Sequence, residues 1–349
     1  MKVLVTGSSG LVGSEAVLYY DKRGASVVGI DNNMRLDFFG PLGDTAWMLQ
    51  SLQRSCNHFV HRDIDIRNRD AIFALFKKET PDIIIHCAAQ PSHDLAKDRP
   101  FDDFEVNALG TLNLLEATRQ IAPDAVFVFA STNKVYGDAP NEIALKELPA
   151  RWEYAREEDY NGVNESCRID NCLHSLFGAS KAAADILCQE YGKYFGMKVG
   201  IFRAGCMTGS AHAGVPLHGF LSYLVKVAVR DETYTIIGYK GKQVRDQIHS
   251  FDVISAFDAF VQNPRPGEVY NLGGGRENNA SVLECIEMIQ QHIGRTIKTT
   301  YIEKPRTGDH ICYISDLRKL KSHFPGWKIT KSLATIIDEI VAAEQAKLS

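Results

Sequence analysis

What most constrains this chain is an alternation, running from the N-terminus to Arg203, of short apolar runs with amphipathic stretches of helical length. Lys2–Thr6, Ser26–Ile30, His58–Ile64, Asp82–Cys87, Ala125–Ala130 and Lys198–Arg203 read as strands. Several are apolar throughout, as strands covered on both faces should be. Between them, Leu11–Arg23, Asp70–Glu79, Phe101–Gln120 and Ser180–Phe195 are long enough to carry the chain back over a sheet. The pattern predicts an α/β fold, a Rossmann-type doubly wound parallel sheet.

At 349 residues the chain exceeds the about 250–300 that one core organises, so a second, smaller lobe is expected. Beyond Arg203 the pattern turns irregular and glycine-rich, with helices near Ser281–Ile293 and Leu333–Gln345. The expected division gives residues 1–205, with about 244–262, to the sheet domain, and 206–243 with 263–349 to an interleaved C-terminal lobe. The polar stretch Asp138–His174, with Pro140 and Pro149, reads as a long functional loop.

Composition narrows the function. No run approaches the about 18 apolar residues of a membrane span. Met1–Thr6 leads straight into a glycine turn without the apolar segment of a secretory leader, which favours the cytoplasm. A net charge of −4 offers no general attraction to nucleic acid or an anionic membrane. The eight cysteines form no CxxC pair, so no metal is expected and reduced, mostly buried thiols are.

Gly7-Ser8-Ser9-Gly10-Leu11-Val12-Gly13 follows the first strand and opens a helix, where glycines let a pyrophosphate approach backbone N–H groups. Asp31, followed by Asn32, closes the second strand, where a carboxylate can hold both ribose hydroxyls of NAD and repel the extra phosphate of NADP. A turn or capping role is the alternative for Asp31, and neighbouring Arg35 pulls toward NADP. Asp65-Ile66 could meet the adenine, and Ala88-Ala89-Gln90 the nicotinamide side; each could equally be an ordinary strand end.

Ala130-Ser131-Thr132-Asn133-Lys134-Val135-Tyr136-Gly137 ends the fifth strand, and Phe177-Gly178-Ala179-Ser180-Lys181 begins the next helix. Through these segments, with Gly7–Gly13, Asp31, Asp65, Ala88-Ala89-Gln90 and Asn107, the chain resembles the extended short-chain dehydrogenase/reductases that modify nucleotide sugars. The resemblance implies NAD, held in part by Asn107 and Lys181, and a nucleotide sugar whose hydride is removed and returned. It gives Thr132 the reacting hydroxyl, Lys181 the nicotinamide ribose, and Gln90 and Asn133 the sugar. Within that family, Ser131–Gly137, His174-Ser175 and Gly241–Asp246 are most similar to the CDP-paratose 2-epimerases. Asn133 and Lys134 stand where sugar dehydratases carry an Asp-Glu pair, so dehydration is not expected.

The departure is Phe177, where the family has a tyrosine acid/base. His174, Cys206, Tyr136 and Lys181 are the candidate substitutes, Cys206 at a position that touches the sugar in relatives. Arg245 and Arg306 match positions that clamp the diphosphate, for which a guanidinium fork is suited, or they are surface ion pairs. His218 and Lys226 lie where relatives embrace the base. A UDP-sugar 4-epimerase and a catalytically impaired cofactor-binding protein are the competing readings. The family relation also implies a homodimer through Phe101–Gln120 and Ser180–Phe195.

Overall fold

The computed structural model describes residues 1–348 except Leu217 and Thr307, with the backbone alone at His93. Strands β1 (Lys2–Thr6), β2 (Ser26–Ile30), β3 (Phe59–Arg62), β4 (Ile83–His86), β5 (Val126–Thr132), β6 (Lys198–Ala204) and β7 (Glu268–Leu272) form one sheet, ordered β7-β6-β5-β4-β1-β2-β3. The pairs β1–β2, β2–β3, β1–β4 and β4–β5 are parallel. Chain direction across the sheet reverses between β1 and β4, the place where such sheets open a crevice at their carboxyl ends.

Helices α1 (Leu11–Asp21), α2 (Arg69–Glu79), α3 (Gly110–Ile121) and α4 (Leu176–Phe195) join these strands. Leu4, Val28, Ile84, Phe127 and Phe129 of the sheet pack with Ile72 and Phe76 of α2, Leu114 and Leu115 of α3, and Ala184 and Cys188 of α4. Each such large apolar side chain removed from water stabilises the fold by roughly 1.5–3 kcal/mol. The helix starts are written locally: the Asn68 side chain accepts the Ala71 N–H, and Ser175 accepts the Gly178 N–H at 3.1 Å. Helix α4 stops at Gly196, whose φ of +69° suits a residue without Cβ.

Two expectations are corrected. Phe101–Gln120 is not one regular helix: Pro100–Phe104 and α3 are joined by a wider π-type turn, Glu105–Leu109. Gly110, just after it, lies against Ile66, where a Cβ would stand 2.5 Å from the Ile66 side chain. No thiol is joined in a disulfide, but only Cys188, Cys285 and Cys312 are buried; the other five, at strand ends and in loops, are half-buried.

The chain divides into two compact units, Met1–Val135 with Ser175–Arg203 and Val253–Tyr270, and Tyr136–His174 with Ala204–Asp252 and Asn271–Ser349. This differs from the expected boundaries. Tyr136–His174 goes with the second unit because Tyr154 packs with Val244, Cys312 and Ile314, flanked by Ile143, Leu145 and Trp152. The expected loop accordingly carries an antiparallel pair, Leu145–Glu147 with Trp152–Tyr154. Val244–His249 also belongs there, pairing with Asn279–Ser281, Cys312–Tyr313 and Cys206–Thr208. The second core gathers Leu224, Val225, Ile286, Ile289, Ile336, Ile337 and Ile340.

Among the described residues no helix is long and apolar enough to cross a membrane, and no group of three His, Cys, Asp or Glu side chains could hold a metal ion.

Candidate active site

Most of the expected cofactor residues of the first unit stand at or just beyond the carboxyl ends of β1 to β5. Gly7 adopts φ +66°, and its N–H donates to the Ile30 carbonyl at 2.8 Å, which ties the turn to the end of β2. A Cβ on Gly13 would lie 2.0 Å from the Gly7 carbonyl oxygen, so only glycine lets α1 start this close to the turn. No side chain caps α1 at Gly10, which leaves its first N–H groups and the positive end of its dipole for an anion. Leu11 and Val12 form its first turn. The hydroxyls of Ser8 and Ser9 are buried without a hydrogen-bond partner; Ser8 Oγ packs against Gly29 of β2, and the Ser9 hydroxyl is one that a phosphate oxygen would satisfy.

Asp31 accepts the Ser9 N–H at 2.9 Å and the Asn33 N–H at 2.8 Å, which fixes its carboxylate at the rim of the glycine turn. Asn32 beside it is exposed. Burial lowers the Arg35 guanidinium to about 10, against an opposing pull from Asp31. Asp65 forms a bidentate pair with Arg67 (Nε to Oδ1 3.1 Å, Nη2 to Oδ2 2.8 Å), and Ile66 turns its side chain into the core. What Ile66 can offer an adenine is therefore backbone. The residues present fit a dinucleotide: glycine cradle, orphaned Ser9 hydroxyl, open helix end and a placed carboxylate.

Ala88 and Ala89 remain partly exposed after β4, but Gln90 does not. Its side chain is 0% exposed, donating to the Ser92 carbonyl at 2.8 Å and to Asp103 at 2.7 Å, while accepting the Ser92 N–H at 2.6 Å. The expected sugar contact is thus corrected, because every polar group of that amide is bound inside the protein. Asn107, also buried, binds the Gln90 backbone both ways and reaches Ser180 Oγ at 3.0 Å. Asp103, which the sequence reading missed, is the hub: Ser180 Oγ donates to it at 2.5 Å. An acidic residue standing four before Asn107, hence in reach of the same buried face, was the available signal.

Thr132 Oγ1 is partly exposed at the end of β5, accepting the Lys134 N–H at 3.2 Å; Asn133 is buried beside it. Phe177 is buried, and Lys181 one turn later is 3% exposed. Lys181 Nζ donates to the Ala130 carbonyl at 2.9 Å and lies 4.1 Å from the centre of the Phe129 ring. Burial lowers its pKa to about 8. Below it, Asp185 pairs with Arg203 at 2.8 Å and accepts Ser131 Oγ at 2.6 Å, locking α4 to β5 and β6.

In the second unit, Tyr136 is fully buried with its phenol donating to Asn271 at 2.7 Å, which removes it as a substitute acid/base. His174 Nδ1 stands 3.1 Å from the Cys172 carbonyl, and Cys206 is half-buried opposite Gln247. The Arg245 guanidinium holds Asp309 at 2.6 Å and the carbonyls of Val244 and His310. The ion pair is thus realised, and Nε–H and the second Nη1–H take no part in it. Arg306 Nη2 donates to the Pro216 carbonyl at 3.0 Å; Thr307 of its motif lies outside the described residues. His218 Nδ1 stands 3.3 Å from His212 Nε2, and Lys226 lies on the helix Phe220–Val229.

Known proteins resemble this chain in sequence and in fold. The chain is 33% identical to a CDP-paratose 2-epimerase of Salmonella typhi over 92% of both chains. Its fold matches the UDP-glucuronic acid 4-epimerase of Bacillus cereus at a TM-score of 0.80 and 26% identity, covering 99% of this chain and 100% of that one. That structure is of a tyrosine-to-phenylalanine mutant in complex with UDP-4-deoxy-4-fluoro-glucuronic acid and NAD. A Thermus thermophilus UDP-glucose 4-epimerase in complex with NAD matches at 0.76 and 25% identity over 99% of each chain. Residues 3–273 match the model of the NAD dependent epimerase/dehydratase family, and the chain belongs to that family.

Proposed function

We propose that this chain epimerises a nucleoside-diphosphate sugar, as a CDP-sugar 2-epimerase, by transient oxidation to a keto sugar and return of the hydride. The observation that carries the reading is the 33% identity along nearly the full length to the Salmonella typhi enzyme. The cofactor is NAD, which the family shares, and it supplies the hydride acceptor. Ser9 and the open end of α1 hold its phosphates, and Asp31 its adenosine ribose. Asn107 acts indirectly, by fixing the strand-end loop at Gln90.

Thr132 orients the reacting hydroxyl, Lys181 holds the nicotinamide ribose, and Asn133 and Cys206 flank the sugar. Arg245, through its Nε–H and remaining Nη1–H, and Arg306 bind the diphosphate, with His218 toward the base. Asn133 and Lys134, in place of two carboxylates, leave no acid and base pair for eliminating water. The UDP-sugar 4-epimerase reading keeps support from the two solved structures, whose folds match along the whole chain. The chain pairs with a second copy through Phe101–Gln120 and Ser180–Phe195, where Phe101 (82% exposed) and Tyr194 (79%) stand with Phe104, Leu109, Ile186 and Phe195 in water.

The test is mass spectrometry of nucleotide released by denaturation, followed by incubation with CDP-, UDP- and GDP-sugars in deuterated water. Recovered NAD and conversion of a CDP-sugar to its epimer, without deuterium on carbon, is the expected result. Deuterium at the inverted carbon would replace hydride return with deprotonation, and conversion of UDP-sugars alone would select the competing reading.

A further inference from the structure

Phe177 and Lys181 stand one turn apart on α4, a spacing that puts both side chains on one face of the helix. A phenylalanine can carry no proton, so the hydroxyl proton of the sugar needs another acceptor near the same place. The surroundings of Lys181 are unusual for a lysine. Its ammonium is almost wholly buried, has a carbonyl and an aromatic face as near neighbours, and among the described residues makes no ion pair.

None of the described titratable groups around it forms an ion pair with it, and the upward pull of Cys188, Asp185, Cys87 and Asp103 does not offset its burial. Asp185, on the same helix, spends its charge on Arg203, and Asp103 from Pro100–Phe104 is bound by Ser180, Gln90 and Asn107. Burial pushes the thiols of Cys188 on α4 and Cys87 after β4 upward, the latter to about 12, so both are uncharged at neutral pH. His86 at the end of β4 is held well below its ordinary value by burial and by Lys181 itself, and is neutral. A cation desolvated in this way loses its proton readily, and burial brings Lys181 to about 8 from 10.5.

We propose that Lys181, besides holding the ribose, is the acid/base of this chain, doing the work of the missing phenol. The inference rests on the epimerase reading. The sugar O–H bond breaks toward the neutral amine of Lys181, the C–H electron pair leaves as hydride to the nicotinamide, and a C=O bond forms. On return, hydride adds to the opposite face of the carbonyl and the ammonium gives its proton back to oxygen. Nothing is consumed, and Thr132 keeps the oxygen in place throughout.

The first measurement is a pH titration of lysine 15Nζ resonances in the purified protein, with the Lys181 signal assigned by its absence from K181R. A midpoint near 8 is expected; a midpoint at the ordinary 10.5 overturns the inference. The second compares K181R with wild type, for kcat and for bound NAD. Arginine keeps a cation and donors for the ribose but does not release its proton, so kcat should fall about a hundredfold or more with NAD retained. Turnover by K181R within threefold of wild type overturns the inference and leaves the epimerase reading standing. Absence of conversion by both wild type and Phe177→Tyr overturns the reading itself, and the inference falls with it.

Discussion

Replacing Gly13 by alanine puts a methyl group where the glycine turn already lies. The new Cβ would stand 2.0 Å from the Gly7 carbonyl oxygen, 2.7 Å from the Gly7 carbonyl carbon and 3.0 Å from Ser8 Cα. Ordinary contact begins at 3.4 Å, so the turn would have to retreat by 1.4 Å, the difference between that and the shortest distance. All three atoms are backbone, and no side chain can swing aside. Overpacking of this kind costs about 1–3 kcal/mol of stability. A retreat of that size also carries the N–H groups of the turn out of hydrogen-bond range of a pyrophosphate. Losing one bond to a charged oxygen costs about 1.5–3 kcal/mol, roughly 10- to 150-fold in NAD affinity. Calorimetric titration of NAD-stripped protein reads that change directly, and urea unfolding reads the stability change. Gly294→Ala is the control: φ is +70° with nothing within 4 Å, so about 1–2 kcal/mol of backbone strain is expected with NAD affinity unaltered. Gly13→Ala protein that binds NAD within threefold of wild type would refute the argument that this turn cradles the cofactor.

Asp31→Ser removes the carboxylate fixed by the Ser9 and Asn33 N–H groups while leaving Arg35 nearby. NAD affinity should fall about 10- to 100-fold and NADP affinity should rise, as paired dissociation constants would show. Asp185→Ala strands the buried Arg203 and Ser131 Oγ and should destabilise the protein by about 3–5 kcal/mol in urea, whereas Asp185→Leu with Arg203→Met should recover much of the loss. The Glu116 carboxyl is held down to about 2 chiefly by Arg119, with Tyr191 donating to it at 2.8 Å. Because its folded value lies below the ordinary 4.5, its contribution is complete above that pH and is lost as pH falls toward 2. Partly exposed, the group is worth under about 1 kcal/mol, so Glu116→Gln should slightly flatten the dependence of the urea midpoint on pH below 4.5, and an unchanged slope would count against the assignment.

The sheet was readable because its strands are buried on both faces and so appear as unbroken apolar runs. Lys2–Thr6 and Ser26–Ile30 agree with the structure at both ends. The π-type turn at Glu105–Leu109 was not readable, since one extra residue in a turn leaves the apolar pattern of both flanking helices intact. Nor was the fate of Gln90: its position after β4 is a local fact, but its amide pairing with Asp103 depends on where the helix Pro100–Phe104 is placed in space. An ion pair was one reading of Arg245, but its partner Asp309 lies far away in sequence and could not be named for the same reason.

Phe177 is the one departure that sequence exposed and geometry now bears upon. A site decaying through loss of its phenol would have no reason to keep its neighbours under constraint. Here the first turn of α4 is held by Ser180 to Asp103, and through Asn107 to the loop that follows β4. One turn on, Asp185 is held in an ion pair by Arg203, and its pull on Lys181 does not offset the burial of that amine. An amine left without a counter-ion in a buried place is unfavourable for stability, because desolvation opposes its charge. Stability alone would favour a neutral side chain at 181, so the lysine there is placed for a function, the ribose contact and the proton transfer proposed above.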